Sequence, residues 1–179
     1  MTQQEAYRRQ AGSDLRMLDL LLQQPDRAAP DCHRLHYLQM ATGQAAKAVV
    51  HALGGDLPSQ GYSHAFVRSL VQALKRGAIA AALGWSDFRQ YKAMLESVRP
   101  LLHAVEQLRP TEDLYHPNVE YPWLERGPKG TDLWQVPADH SFDVDPRSRR
   151  YTNLIVFVRR LLDRLDELAT LRRRPASRH

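Results

Sequence analysis

Asp31-Cys-His-Arg-Leu-His-Tyr-Leu-Gln-Met-Ala-Thr-Gly-Gln-Ala-Ala-Lys-Ala-Val-Val-His-Ala52 is the stretch on which the fold turns. It predicts one helix from Asp31 to Ala52, because Leu38, Ala41, Ala45, Ala48, Val49 and Ala52 recur at steps that share a helix face. Most of that face is alanine, and small side chains let a second helix approach closely. The helix is therefore expected at the centre of a bundle, with Asp31 as its N-cap and Gly54-Gly55 as its stop.

The neighbouring segments read the same way. Tyr7, Ala11, Leu15, Leu18 and Leu22 form one stripe from Gln3 to Gln24, closed by Pro25 and Pro30. A third helix, capped by Ser63 and ended by Gly84, is expected to carry Phe66, Val67, Leu70, Val71, Leu74, Ile79 and Leu83. A fourth, capped by Ser86, carries Phe88, Tyr91, Met94, Leu95 and Val98, then Leu101, Leu102, Val105 and Leu108 beyond Pro100. That proline removes a backbone donor and predicts a kink or break near Ser97 to Arg99. A last helix from near Pro146 presents Tyr151, Leu154, Ile155, Val158, Leu161, Leu162, Leu165 and Leu168, with Arg159 and Asp163 spaced to pair along its outer side.

Between Arg109 and Asp145, prolines at 110, 117, 122, 128 and 137 and glycines at 127 and 130 forbid a long helix. Tyr115, Tyr121, Trp123, Leu124, Trp134, Val136 and Phe142 make this segment too aromatic for a disordered linker, and it is expected to fold over the bundle as an ordered cover. The whole reads as an all-α, up-and-down helical bundle of about five helices with one long irregular aromatic- and proline-rich loop before the last helix. Residues 1–172 are expected to form one domain with 109–146 as an insertion, and 173–179 a basic flexible tail.

The chain has 179 residues, 43% of them hydrophobic, which suits one core of ordinary size. Its single cysteine, Cys32, excludes an internal disulfide or a cysteine-based zinc ribbon and fits a reducing compartment. No signal-like or membrane-spanning run is present, so a cytoplasmic protein with no membrane partner is expected. The net charge is +5, and the arginines gather late, at 147, 149, 150, 159, 160, 164, 172, 173, 174 and 178. Such a distribution allows an anionic partner, with Arg147, Arg149 and Arg150 as phosphate contacts, and equally describes a solvated helix face.

Tyr37 to Val50, with Lys47, Ala48 and Val49 near its end, followed by a Gly-Gly stop and by Ser63-His64 opening the next helix, resembles the central helix pair of the HEPN superfamily. The resemblance spans about Leu15 to Leu74. It implies a four- or five-helix bundle, binding of RNA or a nucleotide, homodimer formation, and in many members a ribonuclease acting as a toxin or defence effector. Active members carry an arginine followed by four to six residues and a histidine near the start of a late helix. Arg109 to His116 and Arg27 to His33 match by spacing. The first pair departs from the pattern because Pro110 and Pro117 place it in a loop, and the second comes before the central helix. By this resemblance Arg109 and His116 are the catalytic candidates of a metal-independent endoribonuclease, one supplying a cation for developing phosphorane charge and the other acid-base help.

Glu120-Tyr-Pro-Trp-Leu-Glu-Arg126 offers a second site, with a base stacked between Tyr121 and Trp123 and phosphate on Arg126, or else a structural staple. His33 with His36, and His140 with Asp143 and Asp145, lack the spacing of known metal loops, so no metal or cofactor is expected; Asp145 ahead of Pro146 reads as a helix cap. No phosphate loop, serine elbow or zinc-protease pair occurs. Two further classes stay open. One is a non-catalytic module that docks a partner protein through the last helix or the aromatic loop, which an exposed apolar patch there would favour. The other is a small-molecule sensor with a cavity lined by Trp123, Trp134 and His140.

Overall fold

A computed structural model of the chain describes residues 1–25, 28–55, 70–71, 73–108, 113–127 and 130–173. It is an all-α bundle with one small hairpin before the last helices. The elements are α1 (Gln3–Leu22), α2 (Asp31–Ala52), α3 (Gly77–Ala82), α4 (Phe88–Gln107), β1 (Trp123–Arg126), β2 (Asp132–Gln135), α5 (Arg149–Asp163) and α6 (Leu165–Arg173). None of these helices is long and apolar enough to cross a membrane.

The alanine face of α2 does what its composition predicts. Leu35, Leu38, Ala41, Ala45, Ala48, Val49 and Ala52 are buried, as are Ala11, Leu15 and Leu18 of α1 packed against them. Helix α2 also meets α4, α5 and α6, which makes it the centre of the bundle. The Thr2 hydroxyl caps α1 by accepting from the Glu5 amide at 3.2 Å. Asp31 is not the N-cap of α2: Pro30 holds that position without a side-chain bond, and Asp31 is the first helical residue. Its carboxylate instead meets Arg34 at 2.8 Å.

Arg34 is fully buried, and its guanidinium also donates to the carbonyls of Leu21 at 3.1 Å and Gln24 at 3.0 Å. Those carbonyls lie at and just past the end of α1, where helical amides run out and the Gln24 amide, at 3.2 Å, also reaches Leu21. One buried arginine thus terminates α1 and fixes the turn into α2.

Several helix boundaries differ from the sequence expectation. The start of the third predicted helix, with Ser63, His64, Phe66 and Val67, lies outside the described residues. Leu70, Val71, Ala73 and Leu74 are helical and α3 begins only at Gly77, so the expected continuous helix is interrupted at Lys75 and Arg76. The cap of α4 is Asp87, whose carboxylate accepts from the Arg89 amide at 2.7 Å, rather than Ser86. Helix α4 runs unbroken through Pro100, which sits on its exposed side, where the carbonyl deprived of a donor can turn to water.

The last predicted helix starts later and ends sooner. Asp145 accepts from the Arg147 amide at 2.9 Å in a turn before Ser148, the N-cap of α5, and Arg164 separates α5 from α6. The leucine stripe continues across the break, with Leu161, Leu162, Leu165 and Leu168 all buried. Arg159 does not pair along the helix with Asp163; it meets both Asp19 carboxylate oxygens at 2.6 Å, tying α5 to α1.

The segment expected to lie over the bundle as an irregular cover is partly a β-hairpin with its apolar residues divided. Val119, Trp123 and Val144 are buried and Phe142 packs against the core. By contrast Leu114, Tyr115, Tyr121, Leu133, Trp134 and Val136 are exposed. Gly130, at φ 76°, takes the left-handed conformation that the turn between the strands needs.

Candidate functional site

The hairpin is anchored at its base, and Leu114 and Tyr115 run beside β1. Helix α4 ends at Gln107, and the chain returns to it twice: the Val119 amide donates to the Leu108 carbonyl at 3.1 Å, and His116 Nε2 donates to the Gln107 carbonyl at 2.7 Å. Asn118 then turns the chain, its side-chain oxygen accepting from the amides of Glu120 and Tyr121 at 3.0 and 2.8 Å. Trp123, 2% exposed, anchors the base of β1. The His140 ring meets it edge-on at 4.9 Å, and Phe142 lies 4.6 Å from that same histidine.

The register pairs Trp123 with Gln135, Leu124 with Trp134, Glu125 with Leu133 and Arg126 with Asp132. One face therefore collects Leu124, Arg126, Asp132 and Trp134. On it the Arg126 guanidinium lies 5.4 Å from the Tyr115 ring, and the Tyr115 hydroxyl donates to Asp132 at 2.6 Å. That bond to a carboxylate raises the Tyr115 pKa above the ordinary phenol value. A cleft of about 450 Å³ opens here, with Tyr115, Trp123, Leu124, Glu125, Arg126 and His140 on its wall. Trp134 is not part of that wall, so the cavity pictured for a small-molecule sensor does not form from the three residues expected.

The acidity of this region is its second property. From Asp113 to Asp145 the sequence holds seven acidic residues, at 113, 120, 125, 132, 139, 143 and 145, against Arg126 and Lys129. Exposed apolar side chains within an acidic surface suit a partner that is both apolar and cationic.

The other predicted site residues are scattered. Arg109 and Arg27 lie outside the described residues, so neither arginine-histidine pair has a described geometry. His116 is half-buried with Nε2 engaged by Gln107, which leaves Nδ1 as the atom able to accept a proton. Tyr121 is exposed and Trp123 buried, so the two do not form an open pair of stacking faces. Arg147, Arg149 and Arg150 stand exposed around the start of α5, remote in sequence from the hairpin strands, and Arg147 reaches back to the Gln24 carbonyl at 3.4 Å. Of the residues carrying the HEPN resemblance, Ala48 and Val49 are core, Lys47 lies 5.5 Å from the Tyr7 ring, and His64 lies outside the described residues.

A polar seam between α1 and α2 was not anticipated. Asp14, 5% exposed, accepts from the Gln10 amide group at 2.9 Å through one oxygen while its other oxygen has no hydrogen-bond partner among the described residues. Burial raises its pKa, against the lowering effect of the Gln10 bond and of His36. His36 Nδ1 stands 3.5 Å from Glu120, near enough for attraction when protonated but not aligned as a hydrogen bond. Among the described residues no group of three or more His, Cys, Asp or Glu side chains is placed to hold a metal ion. The Cys32 thiol is buried, and burial pushes its pKa up, away from the reactive thiolate.

No protein-family model matches this chain, and no curated protein or solved structure matches it either.

Proposed function

We propose that this protein is a non-catalytic helical interaction module that docks a partner protein through its hairpin. The observation that carries this reading is the exposure of large apolar residues on an element fixed at one end: Leu114 60%, Tyr121 59%, Leu133 53%, Trp134 64% and Val136 41%. Large apolar side chains left in water on and beside an anchored hairpin support an interaction surface, because their exposure has no folding benefit. A photo-crosslinking amino acid placed at Leu133 in the full chain, in the cells that make it, is expected to form protein adducts. The same residue at exposed Arg9 is the control. Absence of adducts from position 133, or equal adducts from both positions, removes the reading.

A second reading is favoured by the arginines. It is an HEPN-like protein that binds RNA or a nucleotide, as a homodimer in the cytoplasm, and in its strongest form is a ribonuclease toxin or defence effector using Arg109 and His116. Arg149 and Arg150 occupy the first turn of α5, where the positive helix end disfavours cations, so this end concentrates positive potential beside Arg147. Arg126 beside Tyr115 supplies a cation and a ring for one nucleotide. Oligouridine binding that weakens steeply with salt and is lost when Arg149 and Arg150 become glutamate supports this reading. Salt-independent binding opposes it. Cleavage that survives His116→Ala removes the catalytic assignment.

A further inference from the structure

The Leu124 amide donates to the Leu114 carbonyl at 2.7 Å, so the outer edge of β1 is already occupied at that residue. The Gly127 amide donates to the Thr131 carbonyl at 2.7 Å, which sets the alternation of the ladder. With that phase, Trp123 and Gln135, and Glu125 and Leu133, exchange their backbone bonds between the strands. The backbone groups of Asp132 and Trp134 then point away from the hairpin, along the outer edge of β2. Among the described residues no backbone hydrogen bond meets them. Within β2 there is no proline, lysine or bulge of the kind that shields an edge from pairing.

We infer that the partner is an extended, arginine- or lysine-bearing segment that adds as a third strand along the free edge of β2. The inference rests on the docking reading above and specifies its occupant. Strand addition supplies main-chain bonds to Asp132 and Trp134, and alternate side chains of the incoming segment fall on the two faces of the sheet. Leu133 and Trp134 lie on opposite faces, so apolar side chains falling on the face of Trp134 cover that exposed indole. Cationic ones meet the acidic rim, in which Glu125, Asp132 and Asp139 are all exposed. That same rim repels a nucleic-acid backbone, which makes an RNA strand the wrong occupant for this edge. Pro137 closes the edge after Val136, limiting the recognised segment to roughly the length of β2 with one residue on either side.

The test uses the full chain and a labelled ten-residue probe peptide of alternating arginine and valine. Companion probes are its glutamate-valine counterpart, two analogues N-methylated on one or the other set of alternate backbone nitrogens, and oligouridine. The arginine peptide is expected to bind at least tenfold more tightly than the glutamate peptide and to shift the amide resonances of Asp132 and Trp134. One N-methyl analogue, blocked on the pairing edge, loses at least tenfold, while the other binds like the parent. Glu125→Lys with Asp139→Lys weakens the arginine peptide at least tenfold with unchanged melting temperature. Failure of the arginine peptide to bind, equal binding of both N-methyl analogues and the parent, tighter binding of the glutamate peptide or of oligouridine, or concentration-dependent self-association that blocks the edge overturns the inference. If crosslinks from Leu133 persist while the peptide preferences fail, the strand-addition partner is wrong and the docking surface stands. If Trp134→Ser leaves both crosslinking and peptide binding unchanged, the docking surface falls as well.

Discussion

Leu35, Leu38, Ala41 and Ala45 of α2 disappear beneath their neighbours, whereas Leu133, Trp134 and Val136, in a segment anchored to the same bundle, stand in solvent. Both regions are rich in apolar residues; they differ in how the backbone places them. A helix of twenty or so residues satisfies its own amides and can press a continuous stripe onto another helix. A four-residue strand alternates sides, so a hairpin resting on the bundle through Trp123 necessarily turns part of its apolar content outward unless something else covers it. The bundle buries its apolar surface for stability, and the hairpin leaves part of its own exposed, which the proposed docking would use.

The sharpest way to break this contrast is to damage the join that makes α1 and α2 a unit. Arg34→Ala removes the buried donor from the carbonyls of Leu21 and Gln24, leaving them the longer bonds from the Gln24 amide at 3.2 Å and Arg147 at 3.4 Å, and empties the space of a large side chain. A loss of about 3 kcal/mol is expected from such a truncation, read as a lowered midpoint in urea unfolding. A loss below about 1 kcal/mol, the range of exposed pairs, would mean that α1 ends without help from Arg34.

A smaller effect, with a definite sign, is expected on the seam between the same helices. The raised pKa of Asp14 means that the folded state holds its proton more tightly than the unfolded chain. Below the ordinary aspartate value of 3.8 both states are protonated and nothing is lost. As pH rises from there through the raised folded value, the buried carboxylate becomes charged and stability falls, because the folded state must release a proton it binds well. Asp14→Asn carries no charge at any pH, so its stability relative to the parent should improve as pH rises across that window. Urea unfolding from pH 3 to pH 7 measures the difference. The opposite slope would show that His36 outweighs burial.

How much of this was legible follows the same division. The limits of α2, Asp31 and Ala52, match those read from its stripe together with Asp31 and Gly54-Gly55 at its ends, although Asp31 is the first helical residue and not the cap. The leucine stripe of α5 and α6 was equally plain, yet the break at Arg164 was not, because a helix can be interrupted without disturbing which leucines face inward. The hairpin was missed for a physical reason. Trp-Leu-Glu-Arg and Asp-Leu-Trp-Gln are each too short to show a period, and their only cue is the Gly-Pro-Lys-Gly turn between them. Its aromatics were expected to be buried because composition reports how apolar a segment is and not which side it shows. At the candidate site, Arg126 was legible as a cation beside aromatics, but its neighbour is Tyr115, eleven positions earlier, rather than Tyr121. A contact that a turn creates has no signature in local spacing.

The smallest expected effect on stability is therefore the most informative about the contrast. Trp134 is 64% exposed, and its indole contributes little buried area to the folded chain. Trp134→Ser should shift unfolding free energy by less than about 0.5 kcal/mol, the range of surface substitutions away from special features. The same change of a large aromatic to serine inside the bundle removes several kcal/mol, as expected for a cavity lined by leucines. If the hairpin is an ordered cover whose indole rests on the core, Trp134→Ser will instead lower the melting temperature measurably. If it is a contact surface, melting will stay unchanged while crosslinking from Leu133 is lost. Only in the second case has the apolar content of this segment been kept for a partner and not for the fold.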